Sequence, residues 1–200
     1  ESMLESYGQD GGVFAEHPPI PKHLPGIEAA TGSLGHGLPI GLGMALSGRI
    51  QKQGYNVYAL LGDGECNEGS VWESAMMASA QNLNNLIVFV DINKWQATGR
   101  SEEILSLDPL VDKWRAFGWD AYEIDGHNME QVAKVFSTKR SNKSKPLAVI
   151  ANTIKGKSIS FMENVPSWHG SVKMTFDQIS SALKELGAKQ NIMEMCEKNK

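Results

Sequence analysis

Two short apolar runs, Val57–Leu61 and Leu86–Ile92, constrain this chain more than any other feature. Each is strand-length, and between them Ser70–Asn82 is rich in Ala and Met and reads as a helix. The alternation continues. Helical patterns are predicted near Leu38–Lys52, Leu107–Phe117, Met129–Thr138 and Phe176–Leu186, and further strands at Tyr122–Asp125 and Leu147–Asn152. Strands separated by helices imply an α/β fold, a mainly parallel sheet with helices on both faces. Ligands of such sheets gather beyond the carboxyl ends of the strands. With 200 residues and 41% hydrophobic content, the chain is expected to form one domain around one core.

Charge and cysteine usage exclude several classes. A net charge of −4 supplies no broad basic field for nucleic acid, and the one concentrated basic stretch, Lys139–Lys145, reads as a solvated loop. Cys66 and Cys196 lack metal-ligand spacing, which points away from zinc and disulfides and toward a reducing cytoplasm. No apolar stretch is long enough to cross a membrane. Glu1-Ser2-Met3 matches neither an initiator methionine nor a targeting peptide, so the domain is expected to lack part of its N-terminal segment.

The chemistry concentrates behind the first strand. Gly62-Asp63-Gly64-Glu65-Cys66-Asn67-Glu68-Gly69 places an acid at the strand's carboxyl end, with glycines that let a diphosphate approach the backbone. Asn93 ends the next strand, and a right-handed crossover brings it to the same edge as Asp63. Asp63, Asn93 and the Trp95 carbonyl, with two diphosphate oxygens and a water, complete an octahedron for magnesium. Trp95 is nominated by position alone. An EF-hand starting at Asp63 fails because Glu68 and Ser74 occupy its glycine and glutamate positions. A P-loop ending at Gly156-Lys157-Ser158 fails because Ala151 stands where the first glycine is required. Gly35–Gly43 has neither a preceding strand nor nicotinamide-site spacing.

Taken in order, Gly32-Ser33-Leu34-Gly35-His36-Gly37, Gly62–Gly69, Asn93, Asp112–Trp119, Asp125-Gly126-His127, Thr153–Lys157 and Val165–Gly170 resemble the N-terminal subunit of a split, two-component transketolase. The resemblance spans nearly the whole chain. It implies the thiamine-diphosphate-binding fold and a diphosphate-binding domain over residues 1–200, with no pyrimidine-binding domain. It also implies an enzyme that moves a two-carbon ketol unit from a ketose to an aldose through the cofactor's carbanion and enamine chemistry. By the same resemblance, Asp63, Asn93 and the Trp95 carbonyl bind magnesium and Gly64 lies beside the diphosphate. His17, in Glu16-His17-Pro18, matches a histidine near the substrate. His169 matches one between diphosphate and substrate hydroxyls, and imidazole suits proton transfer near neutral pH. Gly32 and Leu34 match the loop beside the aminopyrimidine and thiazolium rings. Glu68 matches an interface glutamate linked to the neighbouring active site.

Plainer readings stand beside these. Asp63 and Asn93 suit strand-ending turns, Glu68 suits the first turn of a helix, and His23 is an alternative to His17 in the same proline-rich loop. The tryptophans read mostly as packing or rim residues, with Trp95 and Trp168 nearest the motifs. The family often has glycine after the magnesium-binding Asn, whereas this chain has Lys94, which leaves the sugar open. The glutamate that activates the aminopyrimidine belongs, in the family, to the pyrimidine-binding domain. The expected partner is therefore a C-terminal pyrimidine-binding subunit, in a heterotetramer acting on sugars or sugar phosphates. A thiamine-diphosphate enzyme acting on a 2-oxo acid, or a scaffold subunit without catalysis, are the competing readings.

Overall fold

The computed structural model describes residues 9–14, 17–21, 23–137, 144–170 and 172–188. Glu16, Cys196 and most of the Lys139–Lys145 stretch fall outside them. The principal sheet has four parallel strands, β1 (Val57–Gly62), β2 (Leu86–Ile92), β5 (Asp120–Asp125) and β6 (Leu147–Asn152), in the order β1-β2-β6-β5. Between β2 and β5 the chain makes a small antiparallel hairpin, β3 (Trp95–Gln96) and β4 (Gly99–Arg100), which the sequence pattern does not predict.

Period-2 alternation in the central strands sorts side chains to two faces. Val88 and Val90 of β2, with Ala148 and Ile150 of β6, join a core completed by helices α1 (Gly37–Ile50), α2 (Gly69–Ala80) and α4 (Leu110–Ala116). Their neighbours Ile87, Leu147 and Val149 point the other way and meet Val135 of α5 (Met129–Ser137). Because both faces of β2 and β6 are covered, these strands read as near-continuous apolar runs, the reason they are legible in sequence. Helices α3 (Ser101–Leu105) and α6 (Phe176–Glu185) complete the set among the described residues.

Helix α1 approaches the sheet closely. A methyl group on Gly41 would sit 3.5 Å from Val57 and 3.7 Å from both Ala59 and Leu86. Farther along, Trp114 and Trp119 are fully buried and pack edge to face with centroids 4.9 Å apart, and Trp119 Nε1 donates to the Ala75 carbonyl at 2.8 Å. Trp72 joins them at 5.2 Å from Trp114. This indole cluster ties α2, α4 and the start of β5 into one layer.

The largest boundary difference from the sequence expectation falls at a proline. The helix predicted over 107–117 begins only at Leu110, because Pro109 at its N-cap holds extended backbone. Proline lacks the N–H that helix continuation needs, and it biases the residue before it away from helix. The short α3 lies just upstream of that break.

Candidate functional site

The parallel pairing of β1 and β2 sets Gly62 opposite Asp91. Asp63 and Asn93 therefore leave adjacent strands at the same carboxyl edge. Asp63 is 3% exposed and is held by three donors. The Gly64 amide donates to Oδ1 at 2.8 Å, while the Lys94 amide and the Ser101 hydroxyl each donate to Oδ2 at 2.8 Å. A buried carboxylate is costly unless hydrogen-bonded. Here the donors come from its own turn, from the loop after β2 and from α3, so the carboxylate fastens three segments together. Lys94 reaches it through a left-handed backbone, φ 70°, the conformation glycine favours and a lysine adopts only when its surroundings dictate it.

Asn93 Oδ1 accepts from the Trp95 amide at 3.0 Å, closing a tight turn into the hairpin. The Arg100 guanidinium lies 4.6 Å from the centroid of the Trp95 ring. The hairpin also contacts the 3₁₀ turn Pro166–His169, which brings exposed His169 to this side of the molecule. Trp168 anchors that turn, its Nε1 donating to the Phe161 carbonyl at 3.1 Å.

The other nominated residues line an open cleft of about 500 Å³ alongside. His17, Gly32, Leu34 and Glu65 are on its walls, and Leu34 is 55% exposed. A methyl group on Gly32 would meet the His17 ring carbon Cγ at 3.2 Å, so the glycine (φ +153°) is what lets the imidazole lie against this loop. His23 is not on the cleft wall; its Nε2 lies 3.5 Å from the Gly12 carbonyl. Glu68 is exposed at the N-cap of α2 and its side chain makes no capping hydrogen bond there. The structure thus groups Asp63, Gly64, Asn93, Trp95 and His169 at the strand ends, and His17, Gly32 and Leu34 along the cleft.

Three contributors have roles that the sequence reading does not assign. Glu65 accepts from the Gly35 amide at 3.0 Å and so couples the Gly32–Gly37 loop to the Gly62–Gly69 loop. Ser70 Oγ donates to the Gly35 carbonyl at 2.7 Å and reinforces the join. Ser101 is the third, buried against Asp63. Neither serine belongs to a motif, and only their placement at a helix start hints at such use. Cys66, between Glu65 and Asn67, is a free and buried thiol whose pKa is pushed up to about 12, first by burial and then by the Glu65 and Asp63 charges.

Residues 2–198 match the family model described as "Transketolase, thiamine diphosphate binding domain". The chain belongs to the transketolase family. Among relatives, it is 40% identical over 192 residues to an apulose-4-phosphate transketolase subunit of Phocaeicola vulgatus, covering 96% of this chain and 67% of that relative. It is 39% identical to the 6-deoxy-6-sulfo-D-fructose transketolase subunit SqwG of a Clostridium species, over 92% of this chain and 66% of the relative. The chain thus spans about two thirds of the length of these transketolase subunits. The crystal structure of transketolase from Campylobacter jejuni superposes with a TM-score of 0.85 at 25% identity, over 95% of this chain and 30% of that one. A Pichia stipitis transketolase in complex with sedoheptulose-7-phosphate superposes with a TM-score of 0.84 at 26% identity, over 94% of this chain and 29% of that one. The α/β expectation and the transketolase resemblance both hold, and the domain binds thiamine diphosphate by family.

The donor set at the strand ends fits a magnesium-bound diphosphate. Among the described residues no group of three or more His, Cys, Asp and Glu forms a metal cluster. One carboxylate with neutral oxygens is instead the kind of set that magnesium uses when phosphates and waters supply the rest. Asp63 Oδ1 accepts a single hydrogen bond from its described partners and keeps lone pairs free for a cation.

Proposed function

We propose that this chain is the diphosphate-binding subunit of a two-component transketolase, active when paired with a subunit that carries the pyrimidine-binding domain. Three features support the reading: the names of its split-subunit relatives, the strand-end placement of Asp63 and Asn93, and the open cleft beside them. Bound thiamine diphosphate supplies the electron sink that lets a ketose release a two-carbon ketol unit and an aldose accept it. Asp63, Asn93 and the Trp95 carbonyl hold magnesium, and Gly64 lies beside the diphosphate. Gly32 and Leu34 present an exposed apolar loop to the cofactor rings. His17 on the cleft wall and His169 beside the hairpin bind sugar hydroxyls and move their protons. Exposed Glu68 faces the partner's half of the assembly, a heterotetramer of two chains of each kind. The diphosphate-binding domain runs over residues 1–200. The buried free thiol of Cys66 accords with a cytoplasmic setting.

The Asp63 turn carries the proposal. A donor screen tests it, using the ketose phosphates fructose 6-phosphate and sedoheptulose 7-phosphate with aldose acceptors, on this chain alone and reconstituted with its pyrimidine-domain partner. Ketol transfer by the pair and none by the chain alone is expected. Equal rates from both would refute the two-component reading, and decarboxylation of a 2-oxo acid in place of ketol transfer would move the chain to a different thiamine-dependent reaction.

A further inference from the structure

Two sequence motifs, Asp125-Gly126-His127 and Thr153–Lys157, take no part in the chemistry proposed above, and the fold sets them against each other. They follow the paired ends of β5 and β6, where Asp125 lies opposite Asn152. The Gly126 amide donates to the Asn152 carbonyl at 2.8 Å. A methyl group on Gly126 would meet Thr153 Cγ2 at 2.5 Å and both the Asn152 carbonyl oxygen and Ala151 Cβ at 3.2 Å, so glycine is what lets the turn after β5 close on β6. That closure delivers the next side chain. The Ile154 amide donates to His127 Nε2 at 2.8 Å.

A ring nitrogen that accepts from an amide carries no proton, so the proton of neutral His127 sits on Nδ1. Protonation turns Nε2 into a donor and sets N–H against N–H. The Ile154 amide has no other acceptor among the described residues. Its place matters to the site. Thr153, just before it, donates its amide to the Ile92 carbonyl at 3.0 Å and its hydroxyl to Asp91 Oδ1, at the end of β2 beside Asn93. The Lys157 amide donates to the Ile154 carbonyl at 3.2 Å, at the start of the loop that ends in the Pro166–His169 turn. Charges of both signs surround the ring. Asp125 Oδ1 accepts the His127 amide at 2.9 Å, Glu130 is in the first turn of α5 and Lys155 follows Ile154. Glu163, ion-paired with Lys157 at 3.5 Å, is near enough to interact with an imidazolium at His127.

We propose that His127 is a positioning residue for the strand-end site, a neutral acceptor that clasps Ile154 and lets go when it is protonated. Through Ile154 it holds the Asn93 edge of β2 on one side and the root of the His169 loop on the other. The inference rests on the function proposed above. Imidazole changes charge between roughly pH 5 and 8, so acid is the trigger that opens the clasp. Cofactor affinity falls with it, although His127 itself touches neither cofactor nor substrate in this role.

The test compares wild type, His127→Gln and His127→Leu, each reconstituted with the pyrimidine-domain partner. Glutamine keeps an acceptor at similar reach and does not titrate; leucine has none. Residue-resolved hydrogen exchange, corrected for the intrinsic effect of pH, reads the Ile154 amide in the cofactor-free pair. Wild type is expected to protect it at pH 8 and to lose that protection roughly tenfold at pH 5.5, while His127→Gln protects it at both and His127→Leu at neither. Thiamine diphosphate is then titrated calorimetrically with magnesium. Wild type and His127→Gln bind alike at pH 8, and wild type binds several-fold more weakly than His127→Gln at pH 5.5, a comparison in which every other histidine is shared. Ile154 protection that is insensitive to acid in wild type, or that survives in His127→Leu, overturns the clasp. Equal affinities of wild type and His127→Gln at pH 5.5 overturn the positioning role. A wild-type pair that takes up no cofactor at pH 8 falls instead on the function proposed above and takes the positioning role with it, while the exchange data still decide the clasp.

Discussion

Asp63 does two things at once, and the geometry separates them. As a structural acceptor it ties the loop after β1 to Lys94 and Ser101; in the proposed function the spare lone pairs of its Oδ1 are the ones that hold magnesium. Ser101→Ala removes one donor from the buried charge and leaves the rest intact. It is expected to lower unfolding stability by about 2 kcal/mol in urea titrations, the range for a hydrogen bond to a charged group. Gly35 is more sensitive. With φ +76° and only 2.4 Å between a would-be methyl and Ser70 Oγ, Gly35→Ala strains the backbone and pushes the Gly32–Gly37 loop away from Ser70. A loss of roughly 2–4 kcal/mol is expected in the same assay. Cys66, with its pKa pushed up to about 12, stays a protonated thiol across the physiological range. Residue-resolved mass spectrometry after iodoacetamide treatment at pH 8 should find Cys66 unmodified in the folded chain and alkylated once it is unfolded.

Elements were legible where burial on both faces writes an unbroken apolar run. Strands β2 and β6 match the sequence expectation to the residue, and β1 differs from it only by the added Gly62. The hairpin β3–β4 was invisible because two-residue strands have no periodicity, and its turn is fixed by Asn93 and Lys94 rather than by apolar pattern. Sheet order was equally hidden: that β6 inserts between β2 and β5 depends on which strands pack best, information spread over the whole core. The candidate site was legible in part, since the motif nominates Asp63 and Asn93 and the fold sets both at one strand edge. Ser70 and Ser101 act only through where the fold delivers them. Helix α6 shows a further element-scale device. Glu185 accepts from the Ser160 amide and hydroxyl, and these bonds hold its carboxyl below the ordinary value of 4.5. A depressed folded-state pKa gives stability that is full above pH 4.5 and fades as the pH falls through the lowered value. The thermal melt of Glu185→Gln should therefore lie below wild type at pH 7 and converge with it in acid.

At the scale of the molecule, the proposed function makes the strand ends of this α/β layer one half of a shared cofactor site. The large cleft, exposed Leu34 and exposed Glu68 are what such a half needs if a second subunit closes over it. The most direct measurement is calorimetric titration of thiamine diphosphate into the chain alone and into the reconstituted pair, with and without magnesium, for wild type and for Asp63→Asn. The account predicts tight, magnesium-dependent binding by the wild-type pair, much weaker binding by the chain alone, and loss of the magnesium dependence in Asp63→Asn with its fold intact by circular dichroism. A folded wild-type pair that takes up no cofactor, or one that binds equally well without magnesium and with Asp63 replaced, would contradict it.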